Sequence, residues 1–232
     1  MLTLHTAELL VAAAGSAPLP GGAVLVEGDR IIRVGPYEEL AAAYPHARTR
    51  RWPGVLTPGL LVHGADALLE RTYYPDYPAD PYEVTELGAD PISGAEALDG
   101  LKMTESRWGN SARRATQKLL ARGVVAVTGR LTIPAVRTAV VRSGLTVLPP
   151  ASRPGERGTG GDPGQAASHP APSLDPFAGR DTAEQAFYGV LEAGAPARFA
   201  VFAAADPQAL LEQGATSCVA TVIGGRLLHR RR

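Results

Sequence analysis

Cysteine is nearly absent from this sequence: Cys218 is the single one in 232 residues. One thiol excludes an internal disulfide and any zinc site built on paired cysteines, and leaves Cys218, within a strand-like run, the role of a small buried apolar side chain. Long apolar runs are missing as well. None approaches the roughly 20 residues a helix needs to span a bilayer, and the opening MLTLHTAELLVAAAG lacks a positively charged leader. The expectation is a cytoplasmic chain with no membrane partner. Nor is there an excess of either charge, since Lys plus Arg equals Asp plus Glu at 23 each. No long-range field then favours nucleic acid or an anionic lipid surface, and partners must be argued from local features. What is present is 45% hydrophobic residues, enough to bury a core, with 26 glycines and 20 prolines to punctuate it.

The chain begins with short strand signals, TLHTAELLV, AVLVEGD and RIIRVG, with Gly28-Asp29 as a hairpin turn between the last two. YEELAAAY, from Tyr37 to Tyr44, carries helix formers and stops at Pro45. Residues up to Gly59 thus read as a small, mostly β unit. Leu60 to Val62 is a candidate buried strand. Two successive αβ units come later: SARRATQKLLARG, with Ala112, Ala115, Leu119 and Leu120 as its apolar stripe, feeds VVAVT, and PAVRTAVVRSG feeds LTVLP. Such repetition predicts a parallel sheet. Ala151 to about Asp181, rich in Gly, Pro, Ser and Ala, reads as a flexible linker. TAEQAFYGVLEAG then predicts a helix, ARFAVFAA a strand, PQALLEQG a turn or short helix, and SCVATVIGGRLLHR a strand, glycine turn and strand.

Three pieces together resemble the metal-dependent amidohydrolase superfamily. GGAVLVEGDRIIRVGPYEELAAAYP followed by LTPGLLVHGAD is similar to the family's hairpin and the Pro-Gly-Leu-Val entry to barrel strand one. LEAGAPARFAVFAA resembles the return segment Gly-x-x-Ala-Asp-Leu-Val-Val-Phe, with Arg198 and Phe199 near the usual acidic position. VATVIGGRLLHRR resembles the closing hairpin, with Gly224, Gly225 and Arg226 in its turn. Their order at opposite ends of one chain makes the combination specific. The aromatic and acidic passage after strand one points to the imidazolonepropionase-like branch.

The resemblance implies hydrolysis of amide or amidine bonds by a metal-activated water. It implies a His-x-His on strand one, two residues apart so that both imidazoles share a strand face. Aligning Pro58, Gly59 and Leu60 puts Gly64 and Asp66 at the histidine positions, with His63 one place early. The motif is missing, and His63 and Asp66 are only weak metal candidates. Their plainer reading is a polar pair at a strand end that caps the loop. Of the other histidines, His5 lies in the first strand, His46 in a turn, His169 in the linker and His229 near the C-terminal end. Leu60 to Pro150 spans about 90 residues, whereas a complete eight-fold barrel takes roughly 250. That is room for about three strands with their helices.

Two further patterns stand out. Tyr73, Tyr74, Tyr77 and Tyr82 stand among Asp76, Asp80, Glu83, Glu86 and Asp90 without one basic residue, suiting a cationic ligand or, more plainly, a solvated loop. Arg113, Arg114, Lys118 and Arg122 form a basic helix face without an aromatic platform.

The expected fold is mixed α/β. Residues 1–59 and 189–232 form a composite β-sandwich, 60–150 a truncated (β/α) barrel remnant, and 151–188 a Pro/Gly-rich linker with a connecting helix. The expected function is a non-catalytic amidohydrolase-like binding or accessory subunit, a pseudoenzyme with no cofactor and no identified catalytic or ligand-binding residue. It would pair with itself or with a full-length relative to cover the open sheet edge. The alternative is a hydrolase of non-peptide carbon-nitrogen bonds, with zinc in a rebuilt or oligomer-completed site.

Overall fold

The computed structural model describes residues 1–75, 90–150 and 173–231. The linker proper, 151–172, and most of the acidic passage, 76–89, lie outside the described residues, as does His169.

The N-terminal hairpins build the first sheet. β1 (Leu2–Thr6), β4 (Gly22–Glu27), β5 (Arg30–Pro36) and β6 (Arg48–Arg51) run in the order β5-β4-β1-β6. β4 and β5 turn at Gly28-Asp29, as the sequence predicts. α1 (Tyr37–Ala43) lies on the outer face, where Leu40 meets Leu4, Ala23 and Leu25.

The second sheet is assembled from both parts of the chain. β2 (Leu9–Leu10), β3 (Leu19–Pro20) and β7 (Val55–Pro58) join β13 (Arg198–Phe202), β14 (Cys218–Ile223) and β15 (Arg226–Arg230) in the order β15-β14-β13-β7-β2-β3. β7 and β13 pair antiparallel from Phe199 opposite Pro58 to Phe202 opposite Val55. Side chains alternate along β13 because successive residues of a strand point to opposite faces. Phe199 and Val201 enter a core shared with Val24, Val26 and Ile31 of the first sheet. Ala200 and Phe202 enter a different core on the other side. β13 is thus apolar at every position but its first, as expected of a strand covered on both faces.

That other core belongs to a third, parallel sheet, ordered β12-β11-β8: β8 (Leu60–His63), β11 (Val124–Thr128) and β12 (Thr146–Leu148). The chain passes from β7 to β8 through Gly59, where a Cβ would lie 2.3 Å from Val125 Cγ1, so any side chain would displace β11. Helices α4 (Glu105–Leu120) and α5 (Pro134–Ser143) precede β11 and β12. Thr104 Oγ1 caps α4 by accepting from the Arg107 amide at 3.2 Å. Ala112, Ala115, Leu119 and Leu120 are buried, as their spacing predicts. Gly144, left-handed at φ 83°, ends α5.

Five further short elements link these sheets and helices. α2 (Ala65–Glu70) follows β8, and β9 (Thr72–Tyr73) pairs antiparallel with β10 (Ile92–Ser93) ahead of α3 (Ala95–Gly100). α6 (Pro207–Gln213) takes its cap from Asp206, whose Oδ1 accepts from the Ala209 amide at 2.8 Å.

One expected helix is not there. TAEQAFYGVLEAG forms a single 3-10 turn, Ala183–Ala186, and then runs irregularly. The reason is competition for its backbone: Phe187 bridges Leu60, and the Tyr188 amide donates to Gly59 O at 2.8 Å. The segment is spent covering the free edge of β8. No helix among the described residues is long and apolar enough to cross a membrane.

Candidate functional site

In parallel αβ sheets, reacting groups gather beyond the carboxyl ends of the strands. Here those ends are His63 on β8, Thr128 on β11 and Leu148 on β12. His63 Nδ1 and Thr128 Oγ1 are hydrogen-bonded at 3.0 Å, with the imidazole half-buried. Opposite them stands the stretch 173–180. Phe177 anchors it, buried against Phe202 at 6.3 Å between ring centroids. Asp175 Oδ1 accepts from the Phe177 amide, and Ser173 Oγ accepts from the Asp175 amide, each at 3.0 Å. Arg180 Nε donates to Pro176 O at 2.6 Å, and its Nη1 donates to Gln185 O. The space left between Val62, His63, Ser173, Asp175, Pro176, Ala178 and Arg180 is about 20 Å³. That holds roughly one water molecule.

Asp66 does not share this end. Gly64 takes φ 76° and ψ 42°, ending the strand at His63 and starting α2 at the next residue. Asp66 therefore lies in the first turn of a helix instead of two residues further along a strand face. It pairs with Arg71, 2.5 Å from Oδ2 to Nη2 and largely in solvent, where ion pairs contribute about 0 to 1 kcal/mol. The expected strand-end pair of His63 and Asp66 thus resolves into two separate contacts, one to Thr128 and one to Arg71.

A catalytic metal would require three or more convergent donors. Among the described residues no group of three His, Cys, Asp or Glu is so arranged. His5 is buried between the first two sheets, His46 sits in a turn, and His229 lies on β15. These donors do not fit the zinc or paired-metal centre that the resemblance implies. Cys218 is fully buried, and burial raises its thiol to about 11, which keeps it protonated and unreactive.

Several site residues escape sequence reasoning. Thr128 was legible as the polar last residue of an apolar strand. Asp175 and Arg180 were hidden in a stretch read as linker. Glu70 carries no sequence signal, yet its carboxylate accepts from the Thr132 and Ile133 amides, each at 2.7 Å, and from Thr132 Oγ1 at 2.9 Å. It ties α2 to the loop after β11.

Of the tyrosines and acidic residues of that passage, the described ones are Tyr73, Tyr74 and Asp90. The guanidinium carbons of Arg107 and Arg114 lie 5.9 and 5.7 Å from the Tyr73 ring centroid. Arg114 Nε also donates to Tyr74 O at 2.6 Å, so part of the basic helix face serves local structure. Burial raises the Tyr74 phenol to about 12. A cavity of about 830 Å³ lined by Arg71, Leu98, Lys102, Met103 and Trp108 is of the size that holds small molecules.

Residues 22–47 match the imidazolonepropionase-like composite domain of bacteria. The matched stretch runs from β4 to just past α1 and overlaps the first of the pieces that carried the amidohydrolase resemblance. No curated protein matches the chain. Among solved structures, this chain is similar to A. niger ochratoxinase, with 21% identity and a TM-score of 0.44 over 64% of this chain and 30% of that one. It is also similar to Helicobacter pylori aminofutalosine deaminase, with 18% identity and a TM-score of 0.40 over 64% and 33%. E. coli guanine deaminase follows, with 13% identity and a TM-score of 0.45 over 63% and 36%. The chain spans about a third of the length of these structures.

Proposed function

We propose that this chain is a non-catalytic, imidazolonepropionase-like protein that acts in the cytoplasm as a binding or accessory subunit without a metal cofactor. Its first two sheets serve as the composite β-sandwich, and its three parallel strands as the remnant of a (β/α) barrel. The observation that carries this reading is the turn at Gly64. By ending β8 at His63 and sending Asp66 into α2, it separates the positions from which strand one would present two ligands. The void of about 20 Å³ beside His63 supports it, being too small for a substrate.

The proposed partner is a second copy of the chain or a full-length amidohydrolase relative, meeting the parallel sheet along β12. This strand ends the sheet order and leaves Val147 40% exposed, a combination that favours association.

Elemental analysis of protein purified without chelator tests the reading. We expect zinc, iron and manganese well below one per chain, and no hydrolysis of cyclic amides or amidines. Stoichiometric metal that disappears in a His63→Ala/Asp66→Ala variant would sink it in favour of a hydrolase of non-peptide carbon-nitrogen bonds.

A further inference from the structure

We propose that the side of the sandwich bounded by β6 and β15 is a docking surface for an acidic protein segment. The segment adds to β6 as an extended strand and sets its carboxylates against Arg48, Arg50 and Arg230. This rests on the geometry of the two sheets alone and holds whether or not the chain is catalytic.

β6 ends the order of the first sheet and β15 that of the second. Each therefore presents one row of backbone N–H and C=O groups without a strand partner. The two edges approach one another, because Trp52 directly follows β6 and Arg230 of β15 holds its guanidinium carbon 5.9 Å from the Trp52 ring centroid. Along β6, Arg48 and Arg50 point to one face, and Thr49 and Arg51 to the other. Arg51 lies 4.4 Å over the Tyr37 ring and donates to its hydroxyl at 2.7 Å. Arg50 is close enough to Arg48 and Arg230 that, after partial burial, their repulsion further lowers its proton affinity. Among the described residues none of these arginines meets a carboxylate within 4.0 Å. In a chain whose charges sum to zero, this is a local cluster of cationic groups.

Charges on an edge strand also discourage unwanted pairing, and isolated lysines suffice for that. Here guanidinium forks from two sheets converge, Arg48 and Arg50 from β6 and Arg230 from β15, the last held against the Trp52 indole, which prepares it for a bidentate carboxylate contact. A peptide fits better than a nucleic acid for two reasons. The unpaired backbone of β6 offers hydrogen bonds that a peptide strand completes and a phosphate chain does not. The rings that would stack bases, Trp52 and Tyr37, already carry arginines on their faces.

Fluorescence anisotropy with a labelled peptide of about ten residues, alternating Glu and Val, tests the surface. We expect saturable binding that weakens as salt rises from about 0.05 to about 0.5 M. The Arg48→Glu/Arg50→Glu variant should lose affinity by about tenfold or more, and Arg230→Gln by a smaller factor. Arg33→Glu/Arg142→Glu, with the same change of net charge at distant exposed positions, should bind as the parent does. Thermal melting establishes that each variant is folded, and Arg230→Gln carries the test if the double variant is not. The proposal is overturned if the peptide fails to bind, if both double variants lose affinity equally, or if an oligothymidylate of similar length binds as tightly with the same dependence on Arg48 and Arg50.

Discussion

His5 shows how far a residue's meaning depends on its surroundings. The sequence places it in the first strand, and the structure buries it to 2% exposure, with Nδ1 accepting from Trp52 Nε1 at 3.2 Å and its ring edge-on to Phe199. Burial, aided by the nearby Arg50 charge, lowers its pKa from 6.5 to about 3. The unfolded chain therefore takes up a proton between those values while the folded chain does not. Stability contributed by neutral His5 is complete above pH 6.5 and falls as pH drops, by about 1.4 kcal/mol per unit. Urea unfolding at pH 7 and pH 5 should show a loss of about 2 kcal/mol in the parent that is missing in His5→Gln. Equal losses in both proteins would refute the assignment. Gly64 and Asp66 teach the complementary lesson. Their departure from a His-x-His was legible in the letters, but the left-handed turn that removes Asp66 from the strand was not, since a glycine in sequence does not announce the sign of its φ.

Elements with strong alternation or a continuous apolar stripe were legible, because burial on one or both faces fixes which residues are apolar. β11, β13 and α4 follow their patterns closely. The failure lay at 183–193, where the pull of helix-forming residues such as Ala, Glu and Gln yields to two long-range backbone demands, from Gly59 and Leu60, that local propensity does not register. Glu70 belongs to the same class of hidden information, since its three partners are more than 60 residues away. Its carboxylate holds the loop entering α5. Glu70→Ala should cost about 1 to 3 kcal/mol by leaving two amides without their charged acceptor. Hydrogen exchange read at Thr132 and Ile133 should accelerate there well before it does in β11. Unchanged exchange at both amides would show that the clamp is dispensable.

For the whole molecule, mixed α/β character and several sheets were within reach of the sequence, together with the parallel order of the later strands. A composite β-sandwich of both chain ends was expected from the family resemblance alone, since no local pattern states that β7 will lie beside β13. The exposed edge follows from this arrangement. β8 is covered by 187–188, whereas β12 presents Val147, and Val141 on the preceding helix is 72% exposed. If a second copy covers this edge, sedimentation should report a dimer that Val147→Lys converts to monomer without lowering the melting temperature. A parent that sediments as a monomer at high concentration would contradict that partner.

The double-sided strand β13 also limits how this protein can change over evolutionary time. Phe199 and Val201 serve one core, while Ala200 and Phe202 serve the other. Each side chain's allegiance is decided by whether its position is odd or even. Losing one residue just before Phe199 would exchange the two sets and hand each core the volumes meant for its neighbour. Substitutions can be accommodated one core at a time, but a slip in length strikes both together, so the spacing of this segment is less free to drift than its composition.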